Sequence, residues 1–207
     1  MRSPARALPL ALAACLSGLA LTVAVPALRW EPPPIPAVGG EVFTESVVLA
    51  VPGFRQDDPA WADDTIGGSE ETVKAVGCAL SSAAMVSSYL GVPWTPRELN
   101  RQLKAIDGYT RRGWLRWQAV AEASGGHLRL TYAGGPDHRR LDTALRAGVP
   151  AIVRVPLGNL GHWMVVVGKR GRDYLVNDPL GPTSSPVPLA QIADRIQAMR
   201  IFRAGPW

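Results

Sequence analysis

The sequence predicts an α+β domain in which a helical half precedes an antiparallel β half. Helical periodicity and helix-capping residues dominate between residues 78 and 147, whereas short β-branched runs dominate between residues 149 and 203. Strands that follow one another without intervening helices favour an antiparallel sheet, because parallel strands need long crossover connections. With 207 residues, of which 47% are hydrophobic, the chain is long enough to form one domain with a buried core.

Residues 1–28 have the pattern of a signal peptide or an N-terminal membrane anchor. Arg2 and Arg6 precede an uncharged run from Ala7 to Leu28, and its 22 residues are enough to span a bilayer. The run fits cleavage near residues 24–27, retention as a membrane tether, or lipidation at Cys15 within a lipobox-like LAAC. Each alternative predicts that the folded part is extracytoplasmic, either secreted or anchored to the outer face of the cytoplasmic membrane.

A proline-rich linker is predicted over residues 29–40, before a single domain over residues 41–207. The domain opens with a strand over 41–51 and a loop that reaches residue 77. Residues 78–90 form a helix, since their apolar side chains recur on one face and Gly91 is a natural stop. The remaining elements are predicted as helices over 96–104, 114–124, 137–147 and 188–198, and as strands over 127–133, 149–156, 162–169, 173–179 and 199–203.

Cys78 is the candidate nucleophile. Outside residues 1–28 it is the only cysteine, so no intramolecular disulfide can form in an oxidising compartment. It stands at the head of an apolar helix, where unpaired backbone N–H groups and the helix dipole favour a thiolate. The alternative is that Cys78 is a small buried core residue.

His162 is the candidate base, because Gly161-His162-Trp163 leads directly into the apolar strand MVVVG and would hold an imidazole rigidly. His127 and His138 stand in polar surroundings, and both are predicted to face solvent. A group that orients the imidazole is also needed. Pairing outward from a tight turn at about Gly171 brings residues 162–164 opposite residues 177–179, so either Asn177 or Asp178 can lie beside His162.

Four segments, taken together and in order, resemble the papain-like cysteine peptidases of the bacteriocin-processing (double-glycine peptidase) branch, and above all the secreted bacterial peptidase-like relatives of that branch. The segments are Gln56…Trp61, GCALSSAAMV (77–86), GHWMVVVG (161–168) and NDP (177–179). The resemblance runs from about residue 50 to 180 and implies a papain-like fold, with a helical half that carries the cysteine and a β half that carries the histidine and aspartate. It implies Cys78 as nucleophile, His162 as base, Asp178 as orienting residue and Gln56 as oxyanion donor.

These residues predict an extracytoplasmic thiol-dependent hydrolase, in the first place a cysteine peptidase that cleaves peptide or amide bonds through a Cys78 thiolate. The same triad would serve a transpeptidase or a cell-wall amidase, and the alternative of another class is a non-catalytic binding domain on the same scaffold. We expect a monomer that binds a peptide or protein substrate, including one of the cell envelope. The chain has no G-x-x-x-x-G-K-[ST] motif, so a nucleotide-binding cassette is not implied.

Neither nucleic acid nor a cofactor is expected. Three of the 22 Lys and Arg residues lie within residues 1–30, which leaves 19 basic against 17 acidic residues in the rest of the chain. No basic block or nucleic-acid recognition motif accompanies this small excess. A zinc ion held by Cys78, His162 and Asp178 is disfavoured, because no close ligand pair such as C-x₂-C or H-x₃-H anchors it.

Overall fold

The computed structural model describes residues 32–206, and the predicted signal peptide or anchor over residues 1–28 lies outside them. Among the described residues there are five α-helices: α1 (Val73–Val76), α2 (Cys78–Tyr89), α3 (Pro96–Ala105), α4 (Trp117–Ala123) and α5 (His138–Arg146). The strands are β1 (Ile35–Pro36), β2 (Val38–Val48), β3 (Leu128–Gly134), β4 (Ala151–Leu157), β5 (Leu160–Asn177), β6 (Val187–Pro188), β7 (Arg195–Ile196) and β8 (Ala198–Ala204). No helix within residues 32–206 is long and apolar enough to cross a membrane.

The strands form one large and one small sheet, and all of their pairings are antiparallel. The large sheet has the order β2-β5-β4-β8-β3, with β6 paired to β5, and the small sheet joins β1 to β7. Helices α1–α4 come between β2 and β3, and α5 comes between β3 and β4. The predicted α+β class is confirmed.

Both faces of the central strands are covered, which explains why β4 and β5 contain continuous apolar runs. Successive side chains of a strand point to opposite faces. Ile152 and Val165 accordingly belong to a core shared with helices α2, α3 and α4. Val153 and Met164, each one residue away, belong to a second core shared with α5. The sheet is therefore held rigid from both sides at the point where His162 enters it.

Strand β5 joins the two strands that the sequence predicts over 162–169 and 173–179. A straight strand would hold residues 162 and 178 roughly 50 Å apart. However, His162 Nε2 lies 2.6 Å from Asp178 Oδ1, so the chain must reverse between them. Gly171 lies close to the midpoint and has a φ of 57°, a left-handed conformation that glycine adopts without strain. The reversal brings the two ends of this segment together.

Besides the short helix α1, which lies inside the predicted loop, two segments differ from the sequence-based predictions. Residues 35–36 and 38–40, assigned to the linker, belong to β1 and to the start of β2. Between them, the Ala37 N–H donates to the Asp194 carbonyl at 2.8 Å, and Ala37 is buried. Proline is compatible with such short edge strands, so a proline-rich composition did not exclude them. The helix predicted over 188–198 is replaced by a single 3₁₀ turn (Leu189–Gln191) between β6 and β7, because Leu189 and Ile196 are buried as parts of the sheet-side core.

Candidate active site

Cys78 is the first residue of α2 and is partly accessible. The preceding Gly77 separates α2 from the short helix α1, and a Cβ atom at this position would overlap the Val73 carbonyl oxygen. No side chain caps the start of α2, and its first turn contains no acidic residue. The first N–H groups of α2 therefore lie next to the thiol without a side-chain cap among residues 32–206.

The body of α2 is buried, and this fixes the position of the thiol. All eight residues from Leu80 to Ser87 are buried, and most of them are small. They allow the helix to pack closely against β5 through Val165 and Val167. Cys78 therefore lies at the one end of α2 that reaches solvent near the histidine strand.

His162 is buried, at 3% exposure, and contacts both of its predicted partners. Its Nε2 atom lies 2.6 Å from Asp178 Oδ1, and Cys78 is close enough to favour the protonated ring. Burial alone would lower the pKa of His162, but the hydrogen bond that the ring donates to Asp178, together with the interaction with Cys78, outweighs burial and raises the pKa to about 9. The site therefore favours an imidazolium at neutral pH.

The structure brings Asp178, and not Asn177, beside the imidazole. Asp178 Oδ1 also accepts the Leu180 N–H at 2.9 Å, so the carboxylate is fixed by its own turn. The side-chain amide of Asn177 donates instead to the Val51 carbonyl at 2.9 Å. The two residues that the sequence left as alternatives thus have different tasks, one at the histidine and one at the strand edge.

Gln56 connects the segments on either side of the site. Its side chain is buried, and Nε2 donates to the Lys74 carbonyl in α1 at 2.7 Å, just before Cys78. Its backbone N–H donates to the Pro179 carbonyl at 2.9 Å, just after Asp178. Within residues 32–206 the Gln56 Oε1 atom has no hydrogen-bond partner. The amide is held close to the cysteine helix and retains hydrogen-bonding capacity.

The loop that carries Gln56 is fixed by Trp61. The indole N–H of Trp61 donates to the Arg55 carbonyl at 2.7 Å. Trp61 is buried, and its ring meets that of Phe54 edge to face, with ring centroids 5.8 Å apart. A buried indole with a satisfied N–H orders a loop that lacks regular structure. This explains the Gln56…Trp61 pair that the sequence displays.

His127 and His138, which the sequence predicts to face solvent, have different environments. His127 is exposed, whereas His138 differs from the prediction because it is only partly exposed. Its ring stacks on Tyr174, with Nδ1 3.1 Å from the Tyr174 hydroxyl, and burial lowers its pKa. Helix α5 packs this side chain against β5, a contact that the polar sequence around His138 does not reveal.

Sequence reasoning missed one residue beside the site. Arg154 is the single charged residue in the apolar stretch VPAIVRVP, and its guanidinium lies over Gly161, directly before His162. The feature that could have identified Arg154 from sequence is that it is the one charged residue in an otherwise apolar predicted strand. Among residues 32–206 no group of three or more His, Cys, Asp and Glu side chains is arranged to hold a metal ion.

Comparison with known proteins identifies the family of the chain. The model of the Peptidase_C39 like family matches residues 48–200 of the chain, and no curated protein matches it. One similar solved structure is a crystal structure from Bacillus anthracis that is described as a C39-like peptidase. It is 17% identical to this chain, with a TM-score of 0.49, and the match covers 78% of this chain and 100% of that chain. Because the family model matches well over half of its length, the chain belongs to the Peptidase_C39 like family, whose members are papain-like cysteine peptidases related to the double-glycine peptidases.

Proposed function

We propose that the chain is an extracytoplasmic cysteine peptidase that cleaves a peptide or amide bond through Cys78, His162 and Asp178. The observation that carries this proposal is that one buried imidazole contacts both the thiol at a helix start and a carboxylate. The extracytoplasmic location is supported by the uncharged run from Ala7 to Leu28 that follows two arginines.

The mechanism is acyl transfer in two steps. The Cys78 thiolate attacks the substrate carbonyl, and the His162 imidazolium then gives its proton to the leaving amine. Asp178 holds the ring so that its other nitrogen faces the sulfur, and its charge stabilises the imidazolium. A water molecule, deprotonated by the now neutral imidazole, attacks the thioester and releases the acid, and the departing sulfur and the protonated ring restore the thiolate–imidazolium pair.

The oxyanion of each tetrahedral intermediate would be stabilised by the Cys78 N–H at the head of α2 and by the side-chain amide of Gln56. The Gln56 Nε2 group has two N–H bonds, and the bond to Lys74 uses only one of them. The buried position of the amide makes its remaining N–H an effective donor, since it needs little reorganisation when charge develops.

The pH dependence of Cys78 alkylation tests this proposal. Iodoacetamide labelling of the full chain in mild detergent, with Cys78 followed by peptide mass spectrometry, separates it from Cys15. Rapid labelling that persists below about pH 6 and is lost in His162→Ala is expected for a thiolate paired with an imidazolium. Labelling that rises only above about pH 8, as for an ordinary thiol, and that His162→Ala leaves unchanged would contradict the proposal.

A further inference from the structure

A guanidinium without a carboxylate partner lies one residue from His162. Arg154 of β4 pairs with Trp163 of β5, and its Nη1 donates to Gln197 Oε1 at 2.7 Å. No acidic side chain within residues 32–206 forms an ion pair with it. Arg154 is partly accessible, so its charge is neither neutralised by the protein nor fully surrounded by water.

Gly161 makes room for this guanidinium. A Cβ atom built on Gly161 would overlap the Nε, Cζ and Nη2 atoms of Arg154, so only glycine allows the side chain to lie flat over the backbone at this point. The bond to Gln197 and the contact with Gly161 together fix the orientation of the guanidinium plane. A fixed planar group of donors is well suited to a carboxylate, because little side-chain entropy is lost on binding.

A second arginine adds to the positive charge. The Arg200 guanidinium lies 5.0 Å from the ring centroid of Trp163 and 5.5 Å from that of Trp117, and its Nε is buried without a hydrogen-bond partner among the described residues. Burial lowers the pKa of Arg200, and the charge of Arg154 lowers it further. The charge of Arg154 thus acts on Arg200, and neither guanidinium forms an ion pair with an acidic side chain of residues 32–206.

We propose that Arg154 forms a carboxylate-binding subsite, and that the substrates are peptides with an acidic side chain or a free carboxylate within one or two residues of the scissile bond. This inference rests on the proposed function. A substrate whose carbonyl reaches Cys78 must run past the residues that flank His162, and Arg154 covers one of them. Successive residues of an extended peptide advance by about 3.3 Å, which sets the distance of one or two residues.

Matched electrophiles that differ only in charge test the proposal on the full chain. Acetylated dipeptidyl chloromethyl ketones extend along the acyl side of the cleft, and iodoacetylated, C-terminally amidated dipeptides extend along the other side. Each probe is made with Glu and with Gln, and the rate of Cys78 labelling is measured for both. In one of the two series the Glu probe should react about tenfold faster than the Gln probe at low salt, and the difference should shrink at high salt.

Two variants assign the effect to Arg154. Arg154→Gln keeps most of the side-chain length and should abolish the Glu preference, whereas Arg139→Gln removes an exposed charge from α5 and should preserve it. Equal labelling by Glu and Gln probes in both series, or a Glu preference that Arg154→Gln leaves intact, would overturn the subsite. If labelling by plain iodoacetamide does not depend on His162, the proposed function fails as well; if it does, only the subsite is refuted.

Discussion

The charge of Asp178 can be tested by replacing it with asparagine. Asp178→Asn keeps an oxygen that can accept the hydrogen bonds of His162 Nε2 and the Leu180 N–H, so the geometry is retained and the negative charge is lost. The difference between the ordinary pKa of 6.5 and the value of about 9 corresponds to about 3 kcal/mol in favour of the imidazolium. The hydrogen bond to the Asp178 carboxylate is the largest of the causes that raise this pKa, and a neutral amide oxygen accepts a weaker bond than a carboxylate, so the variant should lower the pKa of His162 by about one unit.

The assay is an NMR titration of the His162 ring protons, assigned by their absence in His162→Ala. The chain has only 3 histidines, which makes the assignment simple. The rate of Cys78 alkylation at pH 7 should fall in parallel, though less than in His162→Ala, since the base itself is still present. Asp173→Asn, which changes an exposed carboxylate of β5, is the matched control. An unchanged pKa of His162 in Asp178→Asn would refute the reasoning, since another group would then be holding the proton on the ring.

The same titration has a consequence for stability. The pKa of His162 in the folded protein lies above its unfolded value, so the stability that the imidazolium contributes is fully present below about pH 6.5 and is lost as the pH rises through about 9. Asp178→Asn should therefore have a lower free energy of unfolding in urea than the wild type, and the difference between the two should be largest near pH 6. The gap between the two proteins should narrow toward pH 9 and above.

Three other substitutions have defined outcomes. Gly77→Ala should lower Tm and slow Cys78 labelling, because its Cβ would overlap the Val73 carbonyl and displace the head of α2; unchanged Tm and labelling would show that the turn adapts freely. Gln56→Ala should slow reaction with a peptidyl chloromethyl ketone, which passes through an oxyanion, by about tenfold or more, and should leave iodoacetamide labelling nearly unchanged; equal losses would make Gln56 a purely structural residue. Lys169→Met should cost roughly 3–5 kcal/mol in urea unfolding, because it leaves Asp142 buried and unpaired, whereas a cost below about 1 kcal/mol would show that the pair behaves like a surface ion pair.

The parts of the fold that sequence predicted well are those specified by nearby residues. The capping box at Thr95 is an example. The Thr95 hydroxyl accepts the Glu98 N–H, and the Glu98 carboxylate accepts the Thr95 N–H. The cysteine helix was placed to within one residue at its end, since Gly77 and Gly91 bracket its apolar stripe. In each case the stabilising contacts lie within one or two helical turns, so a short window of sequence contains the whole physical cause.

The features that sequence did not predict depend on partners that are distant in the chain. Lys169 is the last residue of the strand predicted over 162–169, and nothing in its sequence context indicates burial. In the structure its Nζ lies 2.5 Å from Asp142 Oδ1, and both side chains are buried. The partner belongs to α5, which by its composition is a polar surface helix. The choice between Asn177 and Asp178 was open for the same reason, because a slip of one residue at the Gly171 turn exchanges the two side chains.

The candidate site combines both cases. Local sequence patterns identify each of its residues, but they do not show how the fold brings these residues together. Gln56, Cys78 and His162 are separated by long stretches of chain. The Gln56 side chain donates to the Lys74 carbonyl and its backbone N–H donates to the Pro179 carbonyl, so Gln56 joins the cysteine and aspartate segments only when the domain is folded. Only in the folded state is the pKa of His162 raised to about 9, because both Asp178 and Cys78 must lie beside the imidazole. Reactivity of Cys78 and stability of the fold should therefore be lost together in denaturant, and a thiol that became unreactive well before unfolding would show that the Gln56 connections open first.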